Sequence, residues 1–245
     1  MIKRRIRLGI NIDHIATIKT NRRTSYPSLK EAVTVVEKSG ADLITVHLRE
    51  DRRHIQDQDL KDIKATARKL NLEMALTNEM LNICLSIKPD YCCIVPEKRE
   101  ELTTEGGLDI KSMSVEKFSF LKKAINSIEK NDTQVSLFID PDLEQIDYSK
   151  KSGAKVIELH TGSYADATNE DEKIHELGRI KNAAEYAFHK DMQVHAGHGL
   201  NLSNLSNICR ISQIVELNIG HSVVADSIFK GLSKAVEDFR SKIDD

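Results

Sequence analysis

Residues 44–57, ITVHLREDRRHIQD, join a short strand pattern to a cluster of charged side chains. Side chains alternate between the two faces of a strand, so Val46 belongs to an apolar face, whereas His47 and Arg49 share the opposite face. Further charged side chains follow the strand directly: Asp51, Arg52, Arg53 and His54. Imidazole and guanidinium groups at a strand's carboxyl end favour an anionic ligand. For residues 50–53 taken alone, a solvated surface turn is an equally good interpretation.

The rest of the chain repeats this strand and helix pattern eight times. Apolar alternation predicts strands at 6–13, 42–49, 71–77, 91–96, 134–140, 156–161, 192–196 and 214–220, and helices at 28–39, 60–70, 78–87, 115–130, 143–152, 171–189, 202–210 and 222–242. Strict alternation predicts a parallel sheet, and eight units in 245 residues are typical of an α/β (β/α)₈ TIM barrel. We expect one domain spanning residues 1–245, with extra loop and helix insertions at the carboxyl-terminal face. A doubly wound open sheet is the alternative, but no G-x-G-x-x-G follows the first strand.

Composition narrows the possible partners. The net charge is −2 and the 30% charged residues are well mixed, so we expect no nucleic-acid partner and no anionic membrane surface. No apolar run approaches the ~18 residues of a membrane-spanning helix, which predicts a cytoplasmic protein. The spacing of the four cysteines indicates core packing rather than a disulfide framework or a metal site: Cys84, Cys92, Cys93 and Cys209.

The inner faces of the predicted strands are unusually polar. Barrel interiors are ordinarily filled with branched aliphatic side chains. Here they carry ionisable and amide groups, among them Asn11, Asp13, Thr45, His47, Arg49, Glu73, Ser136, Asp140, Glu158, His160, His195, Glu216 and Asn218. Partly buried carboxylates and imidazoles suit acid–base chemistry, and His47, Glu73, Glu158 and His198 are the candidates. For Glu216 and Asn218, near the bottom of the barrel, a satisfied internal network is the favoured interpretation.

Two glycine–histidine turns follow the last two predicted strands, in AGHG and IGHS. Gly197, Gly199 and Gly220 permit close backbone approach, and a helix opening there can face an anion, with His198 and His221 alongside. A second anion could meet the cationic cluster of residues 49–54. The loop of residues 19–27, which carries Lys19, Arg22 and Arg23, could act as a lid or be an ordinary surface loop.

The sequence contains no H-x-H or H-E-x-x-H pattern, and no lysine stands at the carboxyl end of a predicted strand. We therefore expect no metal and no Schiff-base lysine. Two alternatives stay open: a metal-dependent hydrolase on the same barrel, and a non-catalytic sensor of sugar phosphates.

Long collinear motifs give a more specific indication. NIDHIAT, TVHLREDRRHI, NLEMA, VPEKREELTTEGGLD, VSLFID, ELHTGSYA, AGHGLN and ELNIGHS resemble the pyridoxine 5′-phosphate synthase family of vitamin B6 biosynthesis across essentially the whole chain. The resemblance implies a (β/α)₈ barrel that condenses 3-amino-2-oxopropyl phosphate with 1-deoxy-D-xylulose 5-phosphate. Phosphate and water are released, without metal or organic cofactor. It also implies a homo-oligomer, with a homooctamer suggested.

The resemblance assigns expected roles to individual residues. It makes His47 and Glu73 general bases, His198 a proton donor and Glu158 a transition-state stabiliser. The aminoketone phosphate would be held by Asn11, Arg22, Gly199, Gly220 and His221. The xylulose phosphate would meet Asp13, His14, Arg49, His54 and Thr103. Two positions depart from the commoner family pattern: His195, where asparagine is frequent, and Arg23, where glycine is frequent.

Overall fold

Eight parallel strands close into a barrel in the computed structural model, which describes residues 5–97 and 106–245. The strands pair in chain order, and the last pairs back to the first. They are β1 (Arg7–Asn11), β2 (Leu43–His47), β3 (Leu70–Ala75), β4 (Tyr91–Val95), β5 (Gln134–Ile139), β6 (Val156–His160), β7 (Gln193–Gly197) and β8 (Ile214–Ile219). The predicted TIM barrel is therefore confirmed.

Helices connect the strands and cover the outside of the barrel. They are α1 (Asp13–Arg22), α2 (Leu29–Lys38), α3 (Asp57–Thr66), α4 (Asn78–Ile87), α5 (Val115–Glu129), α6 (Leu143–Ser152), α7 (Gly162–Ala165), α8 (Glu170–His189), α9 (Leu205–Cys209), α10 (His221–Lys230) and α11 (Leu232–Asp244). Three of them, α1, α7 and α10, begin two residues after the last residue of a strand and so start at the carboxyl-terminal face. Helices α1 and α7 are additional to the eight predicted helices, whereas α10 covers the first part of the helix predicted over residues 222–242.

Helix α1 corrects one prediction. The sequence analysis extended the first strand to Asp13 and treated residues 19–27 as a loop, but Asp13–Arg22 is helical. Its buried residues fall within the first turn, and the other residues are polar except for the exposed Ile18, so no apolar helical period marks it. The helix ends where Arg23 adopts the left-handed conformation (φ 50°). Lys19 and Arg22 are consequently helical residues, and Lys19 forms an ion pair with Asp59.

Three helix ends also differ from prediction. Helix α3 stops at Thr66, since Ala67 is extended and Leu70 already belongs to β3. The single helix predicted over residues 222–242 is two helices, α10 and α11, separated at Gly231 (φ 79°, ψ 151°). Helix α9 covers five residues rather than the predicted 202–210.

The apolar core lies mainly between the strands and the surrounding helices. Inside the barrel there is a separate small apolar cluster of Cys93, Val95 and Phe138. Cys92 belongs to the outer core, so the two adjacent cysteines face opposite ways, as expected for alternating side chains. The four cysteines are all free thiols, which confirms the core-packing interpretation for the three buried ones.

Candidate active site

A cavity of about 510 Å³ opens at the carboxyl ends of the strands. The residues singled out from sequence that line it are Asn11, Asp13, His14, His47, Arg49, His54, Glu73, Glu158, His198, Gly199, Gly220 and His221. Arg22 is exposed on α1 and is not part of the lining. Thr103 lies outside the described residues. The barrel thus brings together side chains from β1, β2, β3, β6 and the turns after β7 and β8.

Three carboxyl groups at the cavity have raised pKa values. Burial, followed by the charges of Glu158 and Asp13, raises the pKa of Glu73 well above its usual value. Burial and then the charge of Glu216 raise the pKa of Glu158 to about 8. Burial raises the pKa of Asp13 to about 6, although His47 partly offsets it. At neutral pH Glu158 is therefore mostly protonated, and the same causes favour the protonated form of Glu73.

His198 is held by the turn that follows β7. Its backbone has φ 82°, and the Thr161 hydroxyl donates to the carbonyl oxygens of Gly197 (2.8 Å) and His198 (2.5 Å). Burial and then the neighbouring His160, whose ring centroid is 5.1 Å away, lower the pKa of His198 to about 4. His160 in turn pairs with Asp140 through Nδ1 at 3.0 Å. His198 is therefore neutral at neutral pH and can accept a proton.

Sequence reasoning missed Glu97. Its carboxylate is 2% exposed, with Oε2 3.5 Å from His47 Nε2 and Oε1 3.7 Å from Arg49 Nε. Oε1 also accepts a hydrogen bond from the Glu50 amide at 2.9 Å. The signal was available, because Glu97 stands two residues beyond β4, where a strand's carboxyl end meets the cavity. The sequence analysis included Glu97 only in the motif VPEKREELTTEGGLD and assigned it no role.

Asp13 fixes the backbone on the other side of His47. The His47 backbone N–H donates to the Asp13 carboxylate, at 3.0 Å from Oδ1 and 3.2 Å from Oδ2. Oδ2 also accepts from the side-chain amide of Asn11 at 3.0 Å. Asp13 therefore links β1 to β2 at the mouth of the barrel.

The glycine turns bring backbone close to the cavity. A Cβ at Gly197 would lie 2.6 Å from Glu158 Oε1, and one at Gly220 would lie 2.9 Å from the Asn11 Cβ. Gly220 precedes the first turn of α10, whose unpaired N–H groups face the cavity beside His221. The turn after β7 differs from prediction, because α9 begins only at Leu205, six residues beyond Gly199.

The predicted cationic cluster is divided. Arg49 and His54 line the cavity, whereas Arg52 pairs with Asp57 and Glu79. Arg53 pairs with Asp51 at 2.6 Å. The local hydrogen bonds of a surface turn thus hold Arg52 and Arg53, as the alternative interpretation of residues 50–53 expected.

Three histidines meet beside Arg49. The His14 ring lies 4.9 Å from that of His221 and 6.1 Å from that of His54, between centroids. Burial and the neighbouring His14 and arginines lower the pKa of His54 to about 4, and burial with His221 lowers that of His14. A bound anion would favour the protonated forms of these rings.

Comparison with known proteins places the chain in a family. The family model described as "Pyridoxal phosphate biosynthesis protein PdxJ" matches residues 8–245. The chain belongs to the PdxJ family. The pyridoxine 5′-phosphate synthase of Idiomarina loihiensis is 48% identical over 240 residues, covering 98% of each chain. That of Sulfurihydrogenibium sp. is 51% identical over 243 residues, covering 97% of this chain and 98% of its own.

Solved structures support the fold of this PdxJ-family chain. Phosphoribosyl anthranilate isomerase from Thermus thermophilus superposes with a TM-score of 0.60 at 12% identity, covering 98% of each chain. At that identity the likeness concerns the barrel alone.

Two further properties bear on this member of the PdxJ family. Within residues 5–97 and 106–245, no group of three His, Cys, Asp or Glu side chains is arranged to hold a metal ion. Over the same ranges, no helix has the length and apolarity to cross a membrane.

Proposed function

We propose that this PdxJ-family chain is a pyridoxine 5′-phosphate synthase that acts on two small phosphorylated substrates. It would condense 3-amino-2-oxopropyl phosphate with 1-deoxy-D-xylulose 5-phosphate, release phosphate and water, and use neither metal nor organic cofactor. One observation carries the proposal: a single cavity contains carboxyl groups whose pKa values are raised, imidazoles whose pKa values are lowered, and two adjoining surfaces suited to anions. Joining an amine to a ketone needs both kinds of proton-transfer group.

The two phosphates would bind at different parts of the cavity lining. One would lie at Gly199, Gly220 and His221, where α10 presents free backbone N–H groups and the positive end of its dipole. The other would lie at Arg49, His14 and His54, and the two sites would adjoin where the rings of His14 and His221 meet. This division matches the residues that the family resemblance assigns to each substrate.

The ionisation states set the order of proton transfers. The substrate's own amine adds to the ketone, and loss of one water leaves a carbon–nitrogen double bond. Glu158 begins mostly protonated and the raised pKa of Glu73 favours its acid form, so both can deliver protons to the departing oxygen, while neutral His198 can take one from nitrogen.

After these transfers the groups exchange roles. Glu73, now a carboxylate beside a cationic nitrogen, serves as a base, and a bound phosphate favours the imidazolium of His198. His198 then becomes the proton donor that the resemblance assigns. His47, oriented by Glu97 and Asp13, acts as the second base.

The proposal is tested by supplying both phosphates to the purified protein. Pyridoxine 5′-phosphate should form together with one equivalent of inorganic phosphate, and neither should form when one substrate is omitted. Phosphate release without the pyridine product would favour a hydrolase, and binding without turnover would favour a sensor.

We also propose that the chain works as a homo-oligomer, in line with the homooctamer suggested by the family resemblance. Large apolar side chains are exposed at the end of α10 and between α1 and α2: Phe229 is 90%, Ile228 72% and Tyr26 77% exposed. Exposed apolar patches often mark protein interfaces. If Phe229 lies in the contact between subunits, light scattering should show a smaller particle mass for Phe229→Asp than for the unmodified protein.

A further inference from the structure

We propose that Glu216, which lies below the cavity, is a positioning residue whose negative charge keeps Glu158 in its acid form, while the amide of Asn218, shared by the two carboxyl groups, fixes their relative positions. Glu216 is 1% exposed, and both of its oxygens are hydrogen-bonded. Oε2 accepts from Arg7 Nε at 2.8 Å, and Oε1 lies 3.1 Å from His195 Nδ1. These partners stabilise the carboxylate and lower the pKa of Glu216 to about 2, against the opposing effect of burial. Glu216 is therefore a fixed negative charge at neutral pH.

The contacts of His195 define which ring nitrogen donates to Glu216. Its Nε2 lies 3.3 Å from Arg7 Nη2 and 3.1 Å from Gln193 Nε2. A guanidinium can only donate, so Nε2 accepts and Nδ1 carries a proton. Nδ1 of His195 therefore donates to Glu216, which also accepts from the Arg7 guanidinium.

Asn218 lies between Glu216 and Glu158, the carboxyl group that lines the cavity. Its Oδ1 accepts from the Thr45 hydroxyl at 2.8 Å, which fixes the orientation of the amide. Its Nδ2 then donates to Glu158 Oε2 at 2.8 Å and to Glu216 Oε1 at 3.3 Å. Both N–H bonds of Asn218 are used, one for each carboxyl group.

The proton of Glu158 is consequently placed on its other oxygen. Oε2 accepts from Asn218 and lies 4.0 Å from the Cys93 thiol, so Oε1 carries the proton. Gly197 leaves room for this oxygen, because a side chain at position 197 would place its Cβ only 2.6 Å from Glu158 Oε1. Glu158 lines the cavity and can donate from this oxygen to a ligand.

The other groups facing Glu158 add little negative charge. Phe138 faces it from β5, His195 from β7 and Cys93 from β4, and burial raises the pKa of the Cys93 thiol. Burial and then the charges of Glu158 and Asp13 raise the pKa of Glu73 on β3, which favours its uncharged form. Glu216 on β8 therefore supplies the charge that opposes ionisation of Glu158.

A direct titration tests this inference. Protein labelled with ¹³C at glutamate side-chain carboxyl carbons is titrated by NMR, and the Glu158 resonance is assigned by its absence in Glu158→Gln. Glu216→Gln keeps the hydrogen-bond acceptor but removes the charge, so the Glu158 midpoint should fall by about one to three pH units. Arg7→Gln removes a cation and should raise the midpoint.

The two variants are expected to shift the Glu158 midpoint in opposite directions, and this difference in sign separates an effect of charge from an effect of altered structure. A general loosening of the barrel would move both variants in the same direction. Glu237→Gln on α11, which removes one exposed carboxylate, serves as the matched control and should leave the midpoint unchanged. An unchanged midpoint in Glu216→Gln, or a fall in Arg7→Gln, would overturn the inference. If Glu216→Gln does not fold, Arg7→Gln alone decides: a rise supports the inference and no rise refutes it.

The catalytic consequence depends on the proposed function. The limb of the kcat–pH profile that reports Glu158 should follow the NMR midpoint in both variants. Because the titration uses ligand-free protein, it stands even if the unmodified chain forms no pyridoxine 5′-phosphate. In that case the proposed function fails and the charge relationship remains.

Discussion

Glu97 Oε2 lies 3.5 Å from His47 Nε2, in a pair whose side chains are 2% and 9% exposed. The carboxylate comes from the chain after β4 and the imidazole from the end of β2, so the barrel alone brings them together. Burial raises the pKa of Glu97, but the contacts with His47, the Glu50 backbone amide and Arg49 together outweigh it, so the net pKa is lowered. Glu97 is therefore an anion able to orient the imidazole of His47.

Replacing Glu97 with Gln should lower turnover by at least about tenfold, because His47 loses the charge that orients it. KM should change less, since Glu97 does not line the cavity. Steady-state kinetics measure both constants. Glu50→Gln is the control, because Glu50 contacts Glu97 through its backbone amide. Equal activity of the two variants would remove Glu97 from the mechanism.

Replacing Glu73 with Gln should lower catalysis by about 10²–10⁴ while the protein still folds. The amide keeps the volume of the side chain and removes its titratable proton. Turnover and the thermal midpoint are measured on the same preparation. Near-normal turnover would exclude Glu73 as an acid or base, whereas a protein that fails to fold would show a structural role.

The thermal midpoint should fall as pH rises from about 4.5 to about 8 because of Glu158. The pKa of Glu158 is about 8 in the folded state, against the usual glutamate value of 4.5 in the unfolded chain. The unfolded chain therefore loses its proton first, and the folded state loses stability until Glu158 also ionises. Calorimetry across this range should show a shallower decline for Glu158→Gln. An identical decline in that variant would contradict the assignment.

Inorganic phosphate should bind at the turns after β7 and β8, and Gly220→Ala should weaken it at least about tenfold. The added methyl group would meet the Asn11 side chain and displace the start of α10. Isothermal titration calorimetry measures the affinity. Gly178→Ala is the control, since nothing lies within 4 Å of a Cβ there. A phosphate-soaked crystal without an anion near Gly199 or Gly220 would refute the phosphate site.

Turnover should survive exhaustive treatment with EDTA. The reason is the donor arrangement, since no three potential ligands converge within residues 5–97 and 106–245. Loss of activity that Zn²⁺ or Mn²⁺ restores would instead support a metal-dependent enzyme.

The sequence determined the barrel because strand alternation is a local property. Each strand has its own period of two, and eight strand–helix repeats leave few arrangements that bury every apolar face. The same period placed His47, Glu73 and Glu158 on the inner face before any coordinates were known. The turns of Gly199 and Gly220 were likewise visible as local signals.

Only the tertiary structure decided which of these groups interact and in which ionisation state. Helix α1 carries little apolar periodicity, so its first turn at the cavity was not evident from sequence. Arg52 and Arg53 belong to the same cationic run as Arg49, yet nearby carboxylates hold them outside the cavity. Glu97 meets His47, and Glu216 acts on Glu158, across strands distant in the chain. Their pKa values depend on burial and on through-space charge, and these arise only when the closed barrel fixes the distances.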